Sequence, residues 1–175
     1  VEQYWRDNRL NMIHEGTHGI QALDLLGRKV VMNGGKGLLL LAGRINTTIE
    51  RALAEPALVE HAGALAAALK HVGGATKAAW ASGNPEEALA NATPYLQAFG
   101  HLVIAWVWLD VALCARARLA AGTAGAKGIA DAALLQGKLS ACRYFFRYEL
   151  PRIAAWLKVV ESRDDTCRNM DEAWF

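Results

Sequence analysis

The chain has 175 residues, 53% of them hydrophobic, with 19 basic and 17 acidic side chains and a net charge of +2. A chain of that length buries one real core, and that balance argues against both a disordered polymer and a protein steered to nucleic acid by bulk charge. Three widely spaced cysteines (Cys114, Cys142 and Cys167), with no C-x-x-C, argue against a disulfide framework or a cysteine zinc site and suggest a reducing cytoplasm. The opening VEQYWRDNR carries no charged-then-apolar leader, and its charged, aromatic character suggests the C-terminal part of a longer protein.

Along the chain almost every stretch predicts helix, because alanine and leucine dominate and no period-2 segment with hairpin turns occurs. Helices are expected over Thr17 to Met32, Lys36 to Ala54 and Pro56 to Ala81. Two more are expected from Pro85 to Ala121, bent at Pro94, and from Ala126 to about Glu161, with a kink or fresh start at Pro151. Asn33-Gly34-Gly35 stops one helix, and Ser82-Gly83-Asn84-Pro85 is a cap-like turn with Glu86 and Glu87 near the positive helix end. The fold class is therefore all-α, a helical bundle. A soft boundary near Asn33 separates residues 1–31 from a second unit, 32–175.

The segment from Leu96 to Ala115 is long enough to cross a membrane, but Gln97, His101 and Asp110 interrupt it. Asp110 alone would cost about 2.5–3.5 kcal/mol near a bilayer centre. A helix buried among helices is the expectation, with Ile104, Val107, Trp108, Val111 and Leu119 read as core or, alternatively, as cover for another subunit.

His14-Glu15-Gly16-Thr17-His18 fits H-E-x-x-H, in which two histidines at i and i+4 hold zinc and the glutamate activates water. Gly16 weakens the helix this needs, and Gln21 and Asp24 stand where a longer zinc motif wants Gly and His. Glu161 is a distant candidate third ligand, so no metal site is expected.

The wider segment RDNRLNMIHEGTHGIQALDLLGRK resembles the C-terminal signature of the acyl-CoA dehydrogenase family, R-D-x-R-I…I-Y-E-G-T-x-x-I-Q…GR. The matching residues are Arg6, Asp7, Arg9, Ile13, Glu15, Gly16, Thr17, Ile20, Gln21, Gly27 and Arg28. His14 replaces the usual Tyr, and His18 falls at a variable position. EEALANATPYLQAFGHLVIAWVWL, GKLSACRYFFRYELP and DDTCRNMDEAWF resemble the helical extension of the branch that includes methylmercaptopropionyl-CoA dehydrogenases. On this resemblance, residues 1–31 end the catalytic helical domain and 32–175 form the extension.

The resemblance implies FAD as cofactor, an acyl-CoA thioester as substrate, an electron-transfer flavoprotein or other electron acceptor, and a homo-oligomer. It makes Glu15 the base that removes the α-proton, with Gly16 letting the substrate approach the backbone, and sets Thr17 and Gly19 against the cofactor. The domains that complete a flavin site are not in this sequence, so the chain alone is expected to be inactive and free of flavin. A second reading likens the chain to the DNA-alkylation-response flavoprotein, whose helical C-terminal region is linked to DNA. Arg143, Arg147 and Arg152 interleave with Tyr144, Phe145, Phe146 and Tyr148. The arginines at i and i+4 form one stripe, the aromatics read as core, and the low net charge leaves little counterion release, so no nucleic acid is expected.

Overall fold

The computed structural model describes residues 2–9, 17–122 and 125–174. Every regular element among them is helical: α1 Glu2–Arg9, α2 His18–Asp24, α3 Met32–Leu53, α4 Val59–Ala79, α5 Pro85–Leu89, α6 Ala92–Ala120, α7 Gly125–Tyr144 and α8 Ile153–Ser162. The all-helical expectation holds. α6 is the centre of the bundle, packing against α2, α3, α4, α7 and α8.

The reason lies in its spacing. Tyr95, Ala98, Leu102, Ala105, Leu109 and Ala112 are all fully buried, and they repeat at alternating intervals of three and four residues. That heptad spacing forms a continuous seam along one face, and the alanines let the neighbouring helices come close. α4 carries a matching stripe through Leu65, Ala68, Val72, Ala75 and Ala79. At the seam, Thr76 Oγ1 and the Tyr95 hydroxyl lie 2.7 Å apart, and Thr76 also donates to the Val72 carbonyl. Burial pushes the Tyr95 phenol up to about 12 against the opposing pull of the Thr76 hydrogen bond, so Tyr95 stays neutral. Trp106 Nε1 donates to Thr48 Oγ1 at 2.8 Å, satisfying the buried hydroxyl of α3.

Among the described residues α6 is the one helix long and apolar enough to cross a membrane by length and composition. Its place in the bundle accounts for that apolarity. Asp110 meets Arg51 of α3 at 2.9 Å, and Arg116 meets Glu55 at 2.9 Å. The face expected to be core differs, however: Ile104 is 45% and Val107 51% exposed, while Trp108, Val111 and Leu119 are only partly buried. The seam alternates alanines with Tyr95, Leu102 and Leu109, while Ile104 and Val107 fall on the outward face.

The helix breaks follow backbone chemistry. Asn33, Gly34 and Gly35 take φ values of 54°, 67° and 79°, three left-handed residues in succession that put a kink in the first turns of α3. The predicted bend at Pro94 lies instead at Ala90–Asn91, between α5 and α6. Pro94 sits in the first turn of α6, where a missing N–H leaves no hydrogen bond broken. Asn84 caps α5 by accepting from the Glu86 N–H at 3.0 Å.

Pro151 has the opposite effect. An α-helix cannot pass through it, and the chain widens to a π turn over Phe145–Glu149, tightens to a 3-10 turn over Leu150–Arg152, and restarts as α8. α8 ends at Arg163, which is left-handed at φ 51°; the Asp164 N–H reaches back to the Val159 carbonyl and the Arg163 N–H to the Val160 carbonyl. Arg163 and Arg168 face Glu87, and Asn91 Nδ2 donates to the Asp164 carbonyl at 2.8 Å, so the C-terminal segment is tied back to the start of α5 and α6.

Candidate functional site

The signature residues divide between two places. Glu15 and Gly16, with His14, lie outside the described residues. Thr17 and Gly19 are at the start of α2. Thr17 is extended (φ −90°, ψ 109°) and its carbonyl accepts from the Gln21 N–H at 3.1 Å, closing the first turn. Its hydroxyl makes no capping bond. The N–H groups of His18, Gly19 and Ile20 belong to the first turn, which has no intrahelical acceptor for them. Gly19 is exposed, and among the described residues no atom outside its own helix turn lies within 4 Å of the place a Cβ would occupy.

The rest of the signature explains how α2 is held. Ala22, Leu26 and Val30 are buried in the same core as α6. Past Asp24 the helix widens into a π turn, Leu25–Lys29, in which the Val30 N–H bonds the Leu25 carbonyl. Trp80 Nε1, at the end of α4, donates to the Leu26 carbonyl at 3.2 Å. Gly27 lets the turn approach α5, since a methyl there would lie 3.2 and 3.3 Å from the two Leu89 methyl carbons. Arg28 pairs with Asp24 one turn earlier, and that hydrogen bond holds the Asp24 carboxyl below its usual range against the opposing effect of burial, with the charges of Arg28 and Lys29 adding to the lowering.

Two open cavities flank α2. One, of about 390 Å³, runs between His18 and Gln21 and the Gln97–His101 turn of α6; the other, of about 520 Å³, lies along Ile20, Asp24 and Arg28. Gln21 and Leu96 line both. His101 is held by the Gln97 carbonyl at 2.9 Å, by Glu149 at 3.7 Å and edge-on to Trp156.

Among the described residues no group of three metal-ligating side chains comes together, and His18 is exposed at the helix start. The basic, aromatic segment running from the end of α7 into the π turn splits. Phe146 is buried and Phe145 partly so, as expected, but Tyr144 and Tyr148 are exposed and stacked at 5.0 Å. The Trp80 anchor has no signal in the sequence beyond being a tryptophan at a helix end.

Trp80→Phe keeps an aromatic ring, removes the indole donor and trims part of the ring's bulk. The expected cost is about 0.5–1.5 kcal/mol. Hydrogen exchange should quicken over residues 18–30 and stay unchanged in α8. Uniform acceleration would show that the bond stabilises the bundle as a whole and does not specifically hold α2.

The profile of the family described as acetyl-CoA dehydrogenase C-terminal like matches residues 41–171. The chain belongs to that family. It is 30% identical over 185 aligned residues to a broad-specificity linear acyl-CoA dehydrogenase of Mycobacterium tuberculosis, an alignment covering 100% of this chain and 29% of that protein. It is 35% identical over 164 residues to 3-methylmercaptopropionyl-CoA dehydrogenase of Ruegeria pomeroyi, covering 89% and 26%. It is 29% identical over 175 residues to a butyryl-CoA dehydrogenase of Syntrophomonas wolfei, covering 97% and 28%. The chain thus spans less than a third of the length of these relatives.

Proposed function

We propose that this chain is the C-terminal helical part of a flavin-dependent acyl-CoA dehydrogenase, and that Glu15 is the base removing the substrate's α-proton. The observation that carries this reading is the alignment with an acyl-CoA dehydrogenase over 100% of the chain, which takes in the E-G-T signature as well as the helical extension. The α-proton of a thioester is weakly acidic, so the base must be fixed beside it, and a desolvated carboxylate is the stronger base. Gly16, lacking a side chain, would let the thioester come against the backbone.

Thr17 and Gly19 fit an anionic cofactor: a hydroxyl free of capping duty, a backbone with open space above it, and first-turn N–H groups. FAD, when bound, would take the hydride from the carbon next to the deprotonated one. In this reading Trp80 and the buried Ala22, Leu26 and Val30 act as positioning residues, keeping the signature helix at a fixed angle to the bundle. An electron-transfer flavoprotein as electron acceptor, a homo-oligomeric assembly and a cytoplasmic location complete the proposal. The 175 residues alone would be inactive.

The test uses the longer protein that contains this chain. Purified, it should carry stoichiometric flavin that bleaches when a linear acyl-CoA is added. A folded, flavin-free protein, or one whose flavin no acyl-CoA bleaches, would overturn the reading.

A further inference from the structure

A third cavity, of about 420 Å³, opens among the end of the α3–α4 connection, α6 and α7. It lies roughly 20 Å along α6 from the Gln97–His101 turn beside α2, at 1.5 Å rise per residue. Its polar wall carries two guanidinium groups beside the neutral side chains of Gln136, Ser140 and His61. Arg116 comes from α6, Arg143 from α7 and His61 from the first turn of α4. Leu58, Ala112 and Leu139 form the apolar wall.

Two buried polar atoms here, His61 Nδ1 and Arg116 Nε, have no hydrogen-bond partner among the described residues. Arg116 spends a terminal nitrogen on Glu55 and leaves Nε unused. Arg143 is exposed and has no ion-pair partner among the described residues. Leaving buried polar atoms unpaired is costly, and both belong to side chains that line this cavity. Burial lowers the His61 pKa, with Arg147 and Arg143 adding to the effect and Glu60 opposing it, so the imidazole is neutral near pH 7. A neutral ring can donate one hydrogen bond without adding charge.

We infer that this cavity binds a small organic anion, its carboxylate or phosphate head between Arg116 and Arg143 and its short apolar stem against Leu58, Ala112 and Leu139. Guanidinium groups recognise both oxyanions through paired N–H donors. The volume falls in the range of small-molecule sites. The site is independent of the signature at α2 and does not depend on the reading of Glu15.

The test is a titration of the 175-residue chain with inorganic phosphate and, separately, butyrate, at constant ionic strength set by chloride. The readout is the NMR signal of the His61 ring. A saturating shift with phosphate alone identifies a phosphate head, and with butyrate alone a carboxylate. Saturation with both identifies any oxyanion that fits the guanidinium pair. Arg143→Gln, at an exposed position, should weaken binding at least tenfold, the scale of one charge-assisted hydrogen bond. Lys158→Gln, an equal charge change on the exposed side of α8, should leave it unchanged. No saturation at millimolar anion, or equal weakening by both variants, would overturn the site.

Discussion

Replacing Glu15 by Gln in the full-length protein is expected to slow substrate-driven flavin reduction by about 10²–10⁴-fold, the contribution of a positioned general base. Gln keeps the size and hydrogen-bonding capacity of Glu but cannot accept the proton. Flavin content should be unchanged, because Thr17 and Gly19 keep their backbone at the start of α2. Acyl-CoA affinity should fall little, since Gln fills the same space and makes the same hydrogen bonds. Rapid mixing with substrate, followed by flavin bleaching, separates the proton step from binding. A flavin-loaded variant reducing at near the native rate would move the base to another residue. It would leave the family assignment, which rests on residues 41–171, untouched.

In the bundle itself the largest effect is expected at Leu102. It is fully buried in the α6 seam, and Leu102→Ala should cost about 2–5 kcal/mol, the removed methyl groups plus the cavity left behind. Ile104, two residues on, is 45% exposed, and Ile104→Ala should change stability by no more than about 0.5 kcal/mol. Urea unfolding of the two variants reads the difference directly. Equal losses would mean that both faces of α6 are packed in solution, as in an oligomer that covers Ile104 and Val107.

The sequence announced its helices more clearly than their faces. Asn33-Gly34-Gly35 and Asn84-Pro85 mark ends because only certain residues adopt left-handed φ or accept from a first-turn N–H, and both are where they were expected. Pro151 was legible for the same reason, its ring forbidding a straight helix. Pro94 misled because a proline in a first turn resembles a proline at a bend until the helix start is known. The α6 face was not legible: the helix is apolar nearly all round, so periodicity could not rank Leu102 and Ala105 above Ile104 and Val107. Of the candidate site, the E-G-T string was readable from its fixed spacing. The contact of Trp80 with Leu26 and the meeting of His61, Arg116 and Arg143 join residues far apart in the chain, and no local pattern records them.

The alanines of the α6 and α4 seams carry a consequence for how this protein can drift. Where neighbouring helices touch through methyl groups, the tolerance for change is lopsided. Trimming is nearly impossible, because there is almost nothing to trim. Enlargement at Ala98, Ala105 or Ala112 would wedge whole helices apart, at about 1–3 kcal/mol or more for each misfit. Variation is therefore free to accumulate on the outward side of α6, where bulk is unconstrained. Descendants of this sequence should keep a row of smallest residues through the middle of the bundle while the large apolar ones around it come and go.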